Sequence, residues 1–182
     1  QNDAILVGTN TILKDNPQLT CRLKKKRGRH PARIILDRRN RIPLTAKVFA
    51  NSQTHRVFYV SGSKLSTKRE QLLKAKNIEV LKVKILKSGF DLKQLMKLLA
   101  QKELNSILIE GGGEINSSAL EAGIVDRVFA FISPILVGGQ QAPSPIGGNG
   151  VAKITKAIRL DNMKVIPIGD DLMVEAEPCS AE

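Results

Sequence analysis

The sequence predicts an α/β protein: a mixed but mostly parallel sheet flanked by helices, closed by a C-terminal antiparallel hairpin. Three observations predict it. Apolar runs of strand length alternate with segments of helical spacing along most of the chain, the order that builds parallel sheets. Ala4-Ile5-Leu6-Val7 and Ile107-Leu108-Ile109 are apolar throughout, as strands covered on both faces require. The last two strand-length runs of the chain are instead joined by Gly169-Asp170-Asp171, a link short enough only for antiparallel neighbours.

The elements follow in order. Ala4-Ile5-Leu6-Val7, ending at Gly8, reads as the first strand, and residues 9–14 as a brief helix. Pro17 stops that helix by restricting Asn16. Arg33-Ile34-Ile35-Leu36-Asp37 is the second strand, with Asp37 at its carboxyl end, and Arg56-Val57-Phe58-Tyr59-Val60 the third. Thr67 and Glu70 have the spacing of a capping box, opening a helix that Asn77 ends. Residues 78–83 return as a strand. Asp91 then caps a helix whose Leu92, Leu95, Met96 and Leu99 form an apolar stripe for the core. Ser106-Ile107-Leu108-Ile109-Glu110 is the clearest buried strand; Gly111-Gly112-Gly113 and a helix over 114–122, ended by Gly123, come next. Residues 128–132 form a further strand, a Gly/Pro-rich stretch covers 138–150, and the hairpin pairs 164–168 with 172–176. No internal repeat or linker interrupts the 182 residues, which read as a single domain.

Composition narrows the function classes. No apolar run approaches the ~18–20 residues that cross a bilayer, and no secretory signal opens the chain. Cys21 and Cys179 are far apart, with no metal-like spacing, which suits a reducing cytoplasm. The net charge of +12 attracts phosphorylated metabolites or polyanions. A basic nucleic-acid-binding module is therefore the rival from another class. Aromatic content of 3% and the lack of a recognised nucleic-acid motif argue against it. Neither a nucleic acid nor a membrane is expected as partner.

Glu110-Gly111-Gly112-Gly113 carries the most chemistry. A strand delivers the chain into three glycines and a helix begins at once, so main-chain amides and a positive dipole end meet any phosphate there. The plainer reading is a tight strand-to-helix turn, which needs fewer glycines. The run is not a Rossmann fingerprint, because Asn116 occupies the sixth position and Ser133, not an acid, ends the next strand. Asp15-Asn16-Pro17-Gln18-Leu19-Thr20-Cys21-Arg22 is the second informative segment. Asp15 suits a hydrogen bond from a sugar or amide, and Arg22 a bidentate grip on phosphate. An Asx turn followed by a solvated arginine is the alternative. His30 and His55 lack nearby ligands at metal spacing and read as surface residues; no metal site is expected.

These segments occur in a telling order. Asp3-Ala4-Ile5-Leu6-Val7-Gly8, Thr11-Ile12-Leu13-Lys14-Asp15-Asn16-Pro17-Gln18-Leu19-Thr20, Arg33-Ile34-Ile35-Leu36-Asp37, Ile109-Glu110-Gly111-Gly112-Gly113, Pro134-Ile135-Leu136-Val137-Gly138-Gly139 and Ala142-Pro143-Ser144-Pro145-Ile146-Gly147-Gly148 together resemble the reductase domain of the bacterial riboflavin deaminase/reductase family. The resemblance implies a dihydrofolate-reductase-like fold and NADPH as cofactor. It implies cofactor contacts at Thr11 and Asp15, and along the turn and helix start at Gly112, Gly113, Glu114, Ile115, Asn116, Ser117 and Ser118. Leu19, Arg22 and Glu110 would meet a phosphorylated substrate, with Asp15 and Glu110 the acids nearest the chemistry. Arg38 stands where the family commonly has a small hydroxyl residue, and is assigned to the cofactor's 2′-phosphate.

The implied reaction reduces the ribosyl group of 5-amino-6-(5-phosphoribosylamino)uracil to a ribityl chain. The undeaminated pyrimidine is the alternative substrate; dihydrofolate itself is disfavoured, because the Asp-Asn-Pro-Gln-Leu-Thr run is not the signature of its reductase. The family's reductase domain normally has a further strand upstream of Ala4 and follows a zinc-dependent deaminase domain. The chain is therefore expected to lack that strand, to have the deaminase domain as partner in a longer protein, and to form a homodimer or higher homo-oligomer.

Overall fold

The computed structural model describes residues 2–21, 29–139 and 142–179. Arg22 and the basic run at 24–27 lie outside the described residues. The first half of the chain forms β1 (Ala4–Gly8), α1 (Thr9–Asp15), β2 (Ala32–Leu36), β3 (Val57–Ser61), α2 (Thr67–Ala75) and β4 (Glu79–Lys82). The second half forms β5 (Ile85–Leu86), β6 (Gly89–Phe90), α3 (Leu92–Ala100), β7 (Ile107–Ile109), α4 (Gly113–Glu121), β8 (Val128–Ile132), β9 (Leu160–Ile168) and β10 (Asp171–Pro178).

Five strands make one all-parallel sheet in the order β4-β3-β2-β1-β7. Alternate residues of each strand enter two cores. Ala4, Leu6, Ile34, Phe58 and Val60 pack against Leu92, Leu95 and Leu99 of α3 and Ala119 of α4. Val7, Ile35, Val57 and Tyr59 pack against Ile12 of α1 and Leu73 of α2. Helices thus cover both faces, which is why β1, β2 and β3 are buried at every position.

Three expectations need correcting. Ser106 to Glu110 was expected as a buried strand, but β7 is the sheet's edge and only half-buried, and its paired core is Ile107–Ile109. An apolar run reads the same whether one or two strands flank it. The expected capping box at Thr67 is displaced by one residue: Ser66 is the N-cap, accepting from Arg69 N at 3.3 Å, and Glu70 reaches lysines instead. Asn16 does not take the extended conformation expected before proline; its φ of 42° makes it a left-handed helix end, and its Oδ1 accepts from Lys47 N. Asp91 caps α3 as expected, accepting from Gln94 N at 2.9 Å.

The antiparallel hairpin is present and longer than expected. It joins β8 in a separate three-stranded sheet, β8-β10-β9, rather than extending the parallel one. Much apolar surface of that sheet is exposed, including Phe129, Phe131, Ile132, Met163 and Val165. No helix of the described residues is long and apolar enough to cross a membrane.

Helix α2 carries a pH-sensitive anchor. Glu70 pairs with Lys74 at 2.8 Å and with Lys82 of β4 at 2.7 Å. Hydrogen bonds from Lys74 and then Lys82 lower its pKa from the ordinary 4.5 to about 2. A depressed carboxylate pKa adds stability above the unfolded value and loses it as pH falls through the folded one. Denaturant midpoints across that acid window should therefore fall less steeply for Glu70→Gln than for wild type; superimposable curves would remove Glu70 as the cause.

Candidate active site

The parallel sheet has one topological switch point. From β1 the chain moves outward through β2, β3 and β4, then returns to the other side of β1 as β7. The segments leaving the carboxyl ends of β1 and β7 therefore diverge to opposite faces, the place where open α/β sheets bind ligands. A cleft of about 460 Å³ lies there, within the range of small-molecule sites.

One wall comes from β1 and its continuation, Gly8, Thr9, Asn10 and Thr11. The opposite wall comes from the turn after β7, with Gly112, Gly113, Glu114, Ile115 and Ser118. Gly112 is the N-cap of α4, and no side chain caps the helix there. The first amides of α4 lack intrahelical partners by geometry, so an anion is the natural complement. A Cβ on Gly112 would meet nothing within 4 Å, so the turn opens onto unfilled space. Gly113 is constrained oppositely: a Cβ there would sit 2.7 Å from Gly147 N and 2.8 Å from Ser144 O. This close approach lets Gly147 N donate to Gly113 O at 2.9 Å, and Asn116 Nδ2 fixes the same segment through Pro145 O at 2.8 Å.

The third side is cationic. Arg38, Arg39 and Arg41 line the cleft beyond β2, and Glu114 is the one acid among the lining residues. Asp37 shapes this loop. Its carboxylate is fully buried and accepts from Arg41 N at 3.0 Å, Ile42 N at 2.8 Å, Tyr59 OH at 2.8 Å and Thr9 Oγ1 at 3.1 Å. The loop is thereby folded back on the strand end with its arginines outward. Burial, and then the neighbouring Asp37 charge, push the Tyr59 hydroxyl far above its usual pKa, so it stays a donor to that carboxylate. The fourth side is the β5–β6 hairpin, through Ser88, Gly89 and Phe90, with Leu92 beside it.

The structure brings together Thr11, Arg38, Gly112, Gly113, Glu114, Ile115 and Ser118 in this one cleft. Asn116 and Ser117 do not line it; Asn116 holds the 145 segment, and Ser117 Oγ donates to Glu121 Oε1. Glu110 is exposed at the end of β7, directly before the glycine turn. Asp15 is exposed at the last turn of α1, and Leu19 is half-buried with a φ of 53°, packed against the α1–α2 core. Neither Glu110, Asp15 nor Leu19 lines the cleft itself. Reasoning from sequence missed Asn10, Arg39, Arg41 and the hairpin residues. The signal for the arginines was present: they follow a strand-ending aspartate.

Comparisons with known proteins bear on the family and the fold. Riboflavin biosynthesis protein RibD of Actinobacillus pleuropneumoniae is 37% identical over 175 residues, covering 96% of this chain and 46% of that protein. A 2,5-diamino-6-ribosylamino-4(3H)-pyrimidinone 5′-phosphate reductase of Methanothermobacter thermautotrophicus is 34% identical, covering 95% of this chain and 78% of the relative. The solved structure of Acinetobacter baumannii RibD superposes with a TM-score of 0.80 at 27% identity, over 98% of this chain and 47% of that one. The chain spans about half the length of the RibD proteins it matches. The model of the RibD C-terminal domain family matches residues 1–174, and the chain belongs to that family.

Proposed function

We propose that this chain carries out the NADPH-dependent reduction of the ribosyl group of 5-amino-6-(5-phosphoribosylamino)uracil, the reductase step of riboflavin biosynthesis. The observation that carries the reading is the uncapped N-terminus of α4 facing an arginine loop across a cleft at the switch point. Its donors suit a dinucleotide: main-chain amides at Gly112 and Gly113 for the pyrophosphate, Thr11 and Ser118 as hydroxyl partners, and Arg38 for a further phosphate.

Bound there, the cofactor would supply hydride to the first carbon of the sugar. The chain's own residues position and balance charge. Glu110, leaving β7 beside the glycine turn, orients the ribosylamino group and supplies a proton to the ring oxygen as its bond to the first carbon opens, the carbon–nitrogen bond being kept. Asp15, Leu19 and Arg22 serve as substrate-side contacts, after the resemblance. The deaminase partnership and homo-oligomeric assembly belong to the same proposal, as does a cytoplasmic setting.

Glu110→Gln is the direct test. Loss of a positioned acid–base group typically costs ~10²–10⁴-fold in turnover. An exposed Glu→Gln change should leave thermal melting unaltered. Turnover at the wild-type level would remove Glu110 from the reaction. The undeaminated pyrimidine remains a second substrate reading, favoured by the name of the archaeal relative. Parallel assays with both pyrimidines decide it, the preferred substrate being the one with the higher kcat/KM. Titration with NADPH and RNA at physiological salt separates both readings from a basic nucleic-acid binder.

A further inference from the structure

We propose that His30 is a positioning residue for the substrate: its neutral ring holds the Cys21 amide, and with it residues 16–21, in the shape that receives substrate, and a gained proton releases that hold. The inference rests on the reading above, which places substrate-side contacts at Asp15 and Leu19.

Residues 16–21 leave α1 without forming a helix or strand, so their shape depends on what pins them. Three pins hold the segment. Asn16 N donates to Ile12 O at 2.9 Å, and Asn16 Oδ1 accepts from Lys47 N at 2.9 Å. The Leu19 side chain packs against the core that α1 and α2 share. Cys21 N donates to His30 Nδ1 at 3.1 Å. The pins matter because Leu19 is strained. Its φ of 53° lies in the left-handed region, which a leucine occupies at a cost and keeps only where its surroundings impose it. Freeing the Cys21 end lets Leu19 turn back toward the extended region, which re-aims the peptide groups on either side of it.

Only the third pin can be undone by a proton. An imidazole nitrogen accepts a hydrogen bond only while it carries no hydrogen, so this contact fixes the neutral ring with its proton on Nε2. The imidazolium carries hydrogen on both nitrogens, which would set two donors, Nδ1 and the Cys21 N–H, against each other. His30 is exposed to solvent protons, and imidazoles change charge between about pH 5 and 8. Facing it are His55, edge-on with ring centroids 4.4 Å apart, and Cys21 on the segment it holds; Arg29 adjoins it in the chain and acts electrostatically on Asp3. His55 answers to other partners. Its Nδ1 lies 2.8 Å from Thr54 Oγ1 and 3.2 Å from Asn51 O, so its charge acts on the turn before β3.

The test compares KM and kcat for 5-amino-6-(5-phosphoribosylamino)uracil, at saturating NADPH and from about pH 5.5 to 8. The proteins are wild type, His30→Asn, His30→Ala and His55→Phe. An asparagine oxygen stands near the place of Nδ1 and accepts at every pH. Dividing the wild-type KM by that of His30→Asn therefore cancels the titration of the substrate phosphate and of the acids. The ratio should be about one at the alkaline end and rise about three- to tenfold at the acid end, the worth of one neutral hydrogen bond. The kcat ratio should stay flat. His30→Ala should show the raised KM at every pH, and His55→Phe should keep the wild-type profile. Solvent exchange of the Cys21 amide, corrected for its intrinsic pH dependence, should follow the same pattern without substrate. A flat KM ratio, a change confined to kcat, or a pH effect that vanishes in His55→Phe and survives in His30→Asn overturns the role of His30 and leaves the reductase reading intact. Failure of wild type to turn over this pyrimidine at any pH overturns the reductase reading, and this positioning role with it.

Discussion

Replacing Gly113 with alanine lowers stability by about 1–3 kcal/mol and weakens dinucleotide binding by about 100-fold or more. The new methyl group would meet backbone on two sides, Gly147 N at 2.7 Å and Ser144 O at 2.8 Å, and backbone cannot swing aside as a flexible side chain can. Either the 144–147 segment leaves, breaking the Gly147-to-Gly113 and Asn116-to-Pro145 bonds, or the first turn of α4 moves. Both routes disturb the amides proposed to hold the pyrophosphate. Gly112→Ala is the matched control, since its methyl group enters open space. It should fold like wild type and lose affinity only. Calorimetric melts with NADPH titrations on both variants check this, and a Gly113→Ala protein that binds like wild type would dissociate the turn from the cofactor.

Asp37→Ala is the second large effect, a loss of about 3–5 kcal/mol, as when one partner of a buried polar network is removed. Two backbone amides and the Tyr59 and Thr9 hydroxyls lose this acceptor at once, and the Arg69 guanidinium, 4.0 Å away, loses its ion-pair partner. Against a total of about 5–15 kcal/mol, that is a large share. Asp37→Asn keeps one carbonyl oxygen and should recover part of it. The network also sets function, because the loop it folds carries the three cleft arginines. Denaturant unfolding gives the stability loss. NADPH titration of Asp37→Asn, folded but with a loosened loop, should show weakened binding; full affinity in that variant would mean the loop needs no such clamp.

How much of this was legible depends on where the information sits. The parallel order was legible because strands buried on both faces leave unbroken apolar runs, as in Ala4-Ile5-Leu6-Val7. The glycine turn was legible because three successive glycines have few other uses before a helix. The β5–β6 hairpin was not, since two-residue strands leave no periodicity to read. Nor were Arg39 and Arg41, which reach the cleft only because Asp37 turns inward and folds the loop behind it. Arg33 was equally opaque. A fully buried arginine whose Nη1 donates to Val48 O at 2.6 Å looks, in sequence, like any charge flanking a strand.

The half-paired state of β7 carries a mechanical implication. Among the described residues this strand is stitched to β1 on one flank only, yet it is the tether from which Glu110 and the glycine turn hang. A tether fastened along one side yields more readily than the central strands. Stiffening its loose flank and seating an anion at its tip would then reinforce each other, and by linkage each must tighten the other equally.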